Sequence, residues 1–274
     1  MSARRVSATD ILMIGVVLAI VLPVLWMVYL AFLAPVDIIS PGFTARFSLA
    51  NFDEFFGPGS YLPAQLGNSL AIVVGTVVIC LAVAALAGYS LSRLAWPSWV
   101  TWGMLGVLGL LQLIPPITLV PGLYATLSQF GLLGGVPGLI MLNVVFNLPF
   151  AALMMKIYFD GVPAELREAG LVDGASESRV FRSLMLPLVR PGLAAVTVFV
   201  GIMAWNEFLF GLVFTSGGTT APITVGIASL VQPYKIDFGP MAAVGVVTAV
   251  PIIALAALAN RQIVAGLTAS AVKG

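Results

Sequence analysis

The chain has 274 residues, of which 60% are hydrophobic and 8% are charged, with a mean hydropathy of +1.10. Soluble domains carry about 25% charged residues, so this composition excludes an ordinary water-facing surface. The net charge of +1, the absence of histidine and the single cysteine exclude a disulfide, a Cys/His metal site and histidine acid–base chemistry, and they give no argument for nucleic-acid binding.

The apolar residues occur in six blocks long enough to cross about 30 Å of hydrocarbon at about 1.5 Å per residue. The predicted spans are about 11–33, 68–91, 99–121, 139–158, 191–214 and 240–261. The first block is longer than the apolar part of a signal peptide and is followed by further spans, so we interpret it as an uncleaved helix. The sequence therefore predicts an all-α polytopic membrane protein, with one transmembrane domain over residues 1–274.

The third apolar block contains two adjacent prolines, Pro115 and Pro116. Each proline lacks the backbone N–H that a helix uses, and its ring clashes with the preceding turn. We therefore expect this span to break at the two prolines, which a membrane protein tolerates where neighbouring groups satisfy the backbone.

The positive charges predict the orientation in the membrane. With an even number of spans, both termini lie on the same side. That side then holds ten of the twelve Lys and Arg residues, all except Arg46 and Lys235. Because basic loops remain in the cytoplasm, we expect both termini and the loop before span five to be cytoplasmic.

A charged loop at residues 156–190 carries five basic and five acidic residues, nearly half of the charge of the chain. Within it, residues 164–172 are mostly helix formers, and Asp173-Gly174 is a typical turn pair. Ser176 is suited to cap a second helix. The loop is therefore predicted to form a helix, a turn and a helix between two spans.

The second predicted helix of the charged loop is amphipathic, and Pro187 is expected to end it. Its apolar stripe consists of Val180, Phe181, Leu184 and Met185. Such a segment either lies on the lipid surface or docks a soluble partner. The small residues Ala169 and Gly170 favour docking, because they let another surface approach the backbone closely.

The charged loop also contains a motif: Glu168-Ala169-Gly170, three residues, Gly174, nine residues, and Leu184-Met185-Leu186-Pro187. This pattern resembles the EAA motif of ABC-importer permeases. Gly170 replaces the second alanine of that motif, and Leu184 replaces the usual isoleucine. The strings PAELREAGLVDGAS, WNEF and IVAGLTASAVKG resemble the sugar-importer branch of the same family.

The resemblance implies a type I importer permease, similar to the smaller permease subunit of maltose-type systems, in the bacterial cytoplasmic membrane. Such a subunit is not an enzyme, has no catalytic residue and binds no cofactor or metal; ATP and Mg are bound by two partner ATPase subunits. A second, homologous permease completes the pathway, and an extracytoplasmic binding protein delivers the solute. The solute implied here is a carbohydrate or a carbohydrate-like molecule.

The resemblance also implies which residues contact the ATPase. They are Glu165, Glu168, Ala169, Gly170, Asp173, Gly174, Ala175, Leu186 and Pro187, and Lys273 in the C-terminal tail is expected to reach toward the same interface. The chain itself contains no G-x-x-x-x-G-K-[ST] loop, and none of its three lysines follows a glycine. The energy for transport is therefore expected to come from a partner.

Glu207 is the one acidic residue well inside a predicted span, where a carboxylate costs about 2.5–3.5 kcal/mol. With its neighbours Trp205 and Asn206, it either lines the translocation pathway or stabilises helix packing. Asn143 and Asn147 lie one turn apart on span four and have the same two alternatives, with interhelical hydrogen bonds as the packing role.

Three other function classes are disfavoured. An ion-coupled carrier or a channel usually has several ionisable residues in its spans, whereas this chain has about one. A membrane-embedded enzyme needs a nucleophile, base or metal cluster at one depth, which the absence of histidine argues against. A purely structural scaffold gives no reason for the charged loop.

Overall fold

The computed structural model describes residues 7–39, 45–232 and 235–271, without the side chains of 8, 39, 232, 235, 236 and 258–271. The long helices are α1 (Ala8–Ala31), α4 (Leu62–Arg93), α5 (Ser98–Leu113), α6 (Pro116–Gln129), α7 (Val136–Asp160), α11 (Arg190–Trp205) and α14 (Phe238–Ala271). The short ones are α2 (Pro35–Ile39), α3 (Asp53–Phe56), α8 (Ala164–Val172), α9 (Glu177–Val180), α10 (Leu186–Leu188), α12 (Leu209–Phe214) and α13 (Ile223–Ser229). Two-residue strands, β1 (Val231–Gln232) and β2 (Lys235–Ile236), pair antiparallel.

In the described part of the chain, four helices are long and apolar enough to cross a membrane, or up to six if each of two bent pairs is one span. The four are Thr9–Ala31, Leu62–Arg93, Val136–Asp160 and Phe238–Ala257. The bent pairs are Ser98–Leu113 with Pro116–Gln129, and Glu177–Leu188 with Arg190–Trp205. The all-α membrane fold is thus confirmed.

The predicted break in the third span is confirmed. Helix α5 ends at Leu113, and α6 begins at Pro116 after a bend of 99°. Pro116 occupies the first position of α6, where a missing N–H has no intrahelical acceptor to lose. The two prolines therefore end one helix and begin the next.

The predicted fifth span, about 191–214, is not one continuous helix. Helix α11 ends at Trp205, and α12 begins at Leu209, so residues 206–208 interrupt the span. The interruption contains neither glycine nor proline. Its cause is a side-chain hydrogen-bonding arrangement around Glu207, described below.

The prediction that Pro187 ends the second helix of the charged loop is wrong. A π-helical turn, Phe181–Met185, follows α9, and helix continues through Pro187 to Leu188. Pro187 therefore lies inside a continuing helix, where it removes one backbone donor directly after the π-helical turn. Because Glu177, Arg179 and Arg182 lie in the segment Glu177–Leu188, we treat it as lying outside the hydrocarbon.

The chain forms two compact units. The first comprises the described residues up to Pro63 together with Gly226–Val250. Its core contains Ala31 of α1 and Ala242 and Ala243 of α14, all small residues that let these helices pack closely. The 18-residue apolar stretch of α1 that could cross a membrane contains no buried residue.

The second unit comprises Ala64–Val225 and the described residues from Pro251 onward. Its largest core joins α4, α7, α9 and α11 and is built from these buried residues: Cys80, Ala84, Ala85, Tyr89, Ala151, Ala152, Met155, Phe159, Val180, Met185, Val189, Val196 and Val200. The charged loop thus packs on the same core as the spans on either side of it.

Candidate functional site: the charged loop and the interrupted span

Helix α8 has an outer and an inner face. Glu165, Glu168, Ala169 and Val172 are exposed, and the side chain of Val172, an aliphatic residue, is 86% exposed. Spacings of three and four residues place these side chains on one face of a helix. The outer face therefore presents a small apolar strip flanked by carboxylates, and Asp173 and Gly174, both exposed, continue it.

Gly174 lies in the turn that ends α8. Its φ is +81°, in the left-handed region that favours glycine, and the N–H of Gly174 donates to the Leu171 carbonyl at 3.0 Å. Ser176 then caps α9, because its Oγ accepts a hydrogen bond from the Arg179 N–H at 3.4 Å. The predicted helix, turn and helix are present in the charged loop.

Three of the residues expected at the ATPase contact lie partly inside the loop. A Cβ added at Gly170 would lie 3.2 Å from Cγ2 of Val180, so the absence of a side chain here lets α8 pack on α9. Ala175 and Leu186 pack against the large core of the second unit. Their role toward a partner stays a prediction, as does that of Pro187, which is half-buried.

The inner face of α8 carries an ion pair that the sequence analysis did not find. The Arg167 guanidinium donates through Nε to Glu177 Oε1 and through Nη2 to Glu177 Oε2, both at 2.8 Å. These hydrogen bonds hold the pKa of Glu177 below its ordinary value, against the effect of burial, and they raise the pKa of Arg167. The pair fixes α8 to α9.

Tyr89 of α4 joins this ion pair, because its hydroxyl donates to Glu177 Oε1. The ring of Tyr89 is held between Phe159 and Phe181, with ring centroids 5.4 Å and 5.0 Å away. Tyr89 lies 88 residues before Glu177 in the chain, so no local pattern indicates that they meet. This hydroxyl group thereby ties α9 of the charged loop to the membrane helix α4.

The adjacent ends of α4 and α7 are fastened by other polar contacts. Arg93 Nη2 donates to the carbonyls of Phe159 and Val162, which lie at and just beyond the C-terminal end of α7. Ser92 Oγ donates to the Asp160 carboxylate at 2.6 Å, and Lys156 forms an ion pair with the same carboxylate at 2.7 Å. These contacts hold the start of the charged loop against the C-terminal end of α4.

The asparagines predicted for the pathway bond to their own helices. Asn143 Nδ2 donates to the Leu139 carbonyl at 2.9 Å, and Asn147 Nδ2 donates to the Asn143 carbonyl at 2.8 Å. Asn143 is 2% exposed. The interhelical hydrogen bonds expected for these amides are therefore not what the structure shows, and a pathway role stays a prediction.

Glu207 explains why the fifth span is interrupted. Its carboxylate accepts hydrogen bonds from the N–H groups of Phe210 and, at 3.1 Å, Gly211, which begin α12. Its carbonyl accepts a hydrogen bond from Thr224 Oγ1 at 2.7 Å. The side chain thus serves the otherwise unpaired donors of a helix start, as an N-cap does.

The neighbours of Glu207 differ in exposure. Trp205 is buried, whereas Asn206 is exposed and its Nδ2 donates to the Ile202 carbonyl at 2.8 Å. The structure brings Trp205, Asn206 and Glu207 together at the interruption, while Asn143 and Asn147 lie on α7. Lys273, expected near the ATPase, lies outside the described residues.

A family model described as "Binding-protein-dependent transport system inner membrane component" matches residues 81–266. The match covers α7, the charged loop and the interrupted span. The chain belongs to this family. The resemblance to importer permeases is therefore confirmed, and the chain is a transport subunit of an inner-membrane system.

Two permease proteins named for sugar transport or uptake systems are similar to this chain over most of their length. The trehalose transport system permease protein SugB of Mycobacterium tuberculosis is 34% identical over 281 residues, covering 100% of both chains. The diacetylchitobiose uptake system permease protein NgcG of Streptomyces coelicolor is 31% identical over 270 residues, covering 96% of this chain and 87% of that one.

The fold is also that of a solved importer. A chain of a bacterial ABC transporter involved in the import of the acidic polysaccharide alginate has a TM-score of 0.74 and 17% identity. The match covers 94% of this permease and 99% of that chain. At this identity the likeness shows the fold.

Proposed function

We propose that this permease imports a carbohydrate or a carbohydrate-like solute, driven by ATP that a separate ATPase hydrolyses. The full-length similarity to a trehalose permease carries the proposal, and the similarity to a diacetylchitobiose permease supports it. These two sugars differ in their substituents, so the similarities favour the class of solute and do not select one sugar.

The outer face of α8 is the proposed docking surface for the ATPase. Val172 at 86% exposure and the adjacent Ala169 offer an apolar contact, and Glu165, Glu168 and Asp173 surround it with negative charge. Contact with a partner would remove this aliphatic side chain from water, which is favourable. The proposed ATPase surface is therefore a shallow apolar cleft with basic residues at its rim.

The proposed orientation places both termini and the charged loop in the cytoplasm. The distribution of Lys and Arg along the sequence supports it. A second, homologous permease and an extracytoplasmic solute-binding protein complete the proposed system, with two ATPase subunits. The family description supports the binding protein.

Co-purification tests the proposal. The tagged permease is extracted from its native membrane in mild detergent, and the proteins bound to it are identified by mass spectrometry. We expect an ATPase and a second permease. Val172→Asp should lower the recovered ATPase and leave the second permease in place, because a charge would replace the apolar contact on the outer face of α8.

Arg179→Gln is the matched control, since Arg179 is also exposed in the charged loop but lies on α9. It should retain the ATPase. Recovery of the chain alone, as a stable homo-oligomer, would contradict the proposal and favour an ion-coupled carrier or a channel. The binding protein recovered from the same system can then be screened with sugars.

A further inference from the structure

Helix α4 makes polar contacts near both of its ends within the second unit. Near its C-terminal end, Tyr89 bonds to Glu177, which pairs with Arg167 on the inner face of α8. The outer face of that same short helix is the proposed ATPase surface. Tyr89 is therefore linked to α8 through Glu177 and Arg167.

Near its other end, α4 holds the segment that follows α12. Asn68 Nδ2 donates to the carbonyls of Thr219 at 2.7 Å and Ala221 at 3.0 Å. Ser69 Oγ accepts from the Ile223 N–H at 2.9 Å. Gln65 Nε2 donates to the Gly218 carbonyl at 2.7 Å. These four contacts lie about 30–36 Å from Tyr89, at about 1.5 Å per residue of helix.

The segment held by α4 is bonded in turn to the interrupted span. Thr224 comes directly after Ile223, and its Oγ1 donates to the carbonyl of Glu207 at 2.7 Å. Glu207 caps α12. Hydrogen bonds at both ends of the single helix α4 therefore join the inner face of α8 to the start of α12.

We propose that Tyr89, Glu177 and Arg167 are positioning residues that transmit movement of the docked helix α8 through α4 to the interruption at 206–208. The inference rests on the proposed function, because an ATPase must move α8. Among the described residues, Tyr89 supplies the polar contact between α4 and Glu177, whereas the Arg167–Glu177 pair lies within the loop. Removing the Tyr89 hydroxyl should therefore break the polar link between α4 and Glu177, while the Arg167–Glu177 pair and the Arg93 and Ser92 contacts remain.

The test uses a thiol reporter in the assembled transporter. Ser216→Cys adds a thiol at an exposed position between α12 and the segment that α4 holds, and the native Cys80 is 0% exposed. A membrane-impermeant methanethiosulfonate reagent labels this thiol without nucleotide and after trapping with ATP and vanadate. With Tyr89 intact, we expect the two labelling rates to differ.

Tyr89→Phe keeps the ring and removes the hydroxyl. We expect it to reduce the ratio of the two rates by at least about twofold, the lower end of the coupling that residues between two sites carry. The assembled transporter with Tyr89→Phe should still trap ADP after incubation with ATP and vanadate. The matched control is Tyr158→Phe, since Tyr158 on α7 has no hydrogen-bond partner for its hydroxyl among the described residues. This control should leave the ratio unchanged.

The outcomes separate the inference from the proposed function. An undiminished ratio in Tyr89→Phe, or equal rates with Tyr89 intact, overturns the role of α4. Failure of the complex to trap ADP with Tyr89 intact refutes the proposed function instead. If Tyr89→Phe does not assemble, Asn68→Ala tests the other end of α4 and should reduce the ratio in the same way.

Discussion

Gly88 of α4 and Met155 of α7 approach so closely that a Cβ added to Gly88 would lie 2.7 Å from the Met155 Cβ. The same added atom would lie 2.7 Å from the backbone nitrogen of Lys156. Met155 is fully buried, so neither helix has room to retreat without opening the core. This contact sets the distance between α4 and α7, and α7 leads into the charged loop.

Gly88→Ala should therefore destabilise the protein by about 1–3 kcal/mol, because the helices must separate to admit the methyl group. A lower Tm of the detergent-purified permease would show it. Gly103→Ala on α5 is the matched control, since no atom lies within 4 Å of its added Cβ. That variant should be neutral or slightly stabilising; an equal loss in both would contradict the close contact.

Gly174→Val should abolish solute uptake while expression and membrane insertion are retained. The cause is the φ of +81°, which costs a side-chain-bearing residue about 1–2 kcal/mol and is worst for a β-branched one. Uptake is measured with the solute that binds the associated binding protein. Gly174→Asn should retain more uptake, because asparagine tolerates this region. Normal uptake with valine would show that the turn conformation is dispensable.

Glu207→Ala should destabilise the permease by about 1–2 kcal/mol, the usual cost of losing an N-cap acceptor. Glu207→Gln keeps one acceptor oxygen, so we expect a smaller loss of Tm and substantial uptake. Thermal unfolding and uptake of both variants distinguish two roles. If Glu207→Gln abolished uptake at unchanged Tm, Glu207 would act on the solute rather than as a helix cap.

The Arg167–Glu177 pair predicts a pH dependence. The pKa of Glu177 is lowered from its ordinary 4.5 in the folded state, so the pair contributes its full stability above that value. The contribution is lost as the pH falls through the lowered pKa. The difference in Tm between the native permease and Glu177→Gln should therefore be constant from about pH 8 to 6 and narrow below about pH 4. A difference that stays constant down to acid pH would contradict the ion pair.

The spans and the charged loop could be predicted from local patterns. Long apolar blocks indicate helices, adjacent prolines indicate the break at Pro115, and a turn pair with a capping serine indicates the two helices of the loop. Each of these signals acts within a few residues. The interruption at Glu207 was missed because a long side chain that caps a helix inside an apolar block has no proline or glycine to mark it.

The contacts that join distant parts of the chain could not be predicted. Tyr89 and Glu177 are 88 residues apart, and Asn68 and Thr219 are 151 residues apart. A tyrosine in an apolar block is compatible with many environments, and the hydrogen-bond partner of its hydroxyl depends on how the helices pack. For the same reason, the sequence alone could not show whether Gly170 packs inside the loop or contacts a partner.

The π-helical turn Phe181–Met185 fixes the rotation of α9 relative to the helix after it. Such a turn holds one residue more than an α-helical turn, and one residue of α-helix corresponds to about 100° of rotation. If the same residues formed ordinary α-helix instead, the extra residue would rotate α9 by roughly 100° relative to the helix after it and would turn Glu177 away from Tyr89. The π-helical turn therefore matters as much as the composition of the loop, because it lets the segment hold one residue more while Glu177 still faces Tyr89.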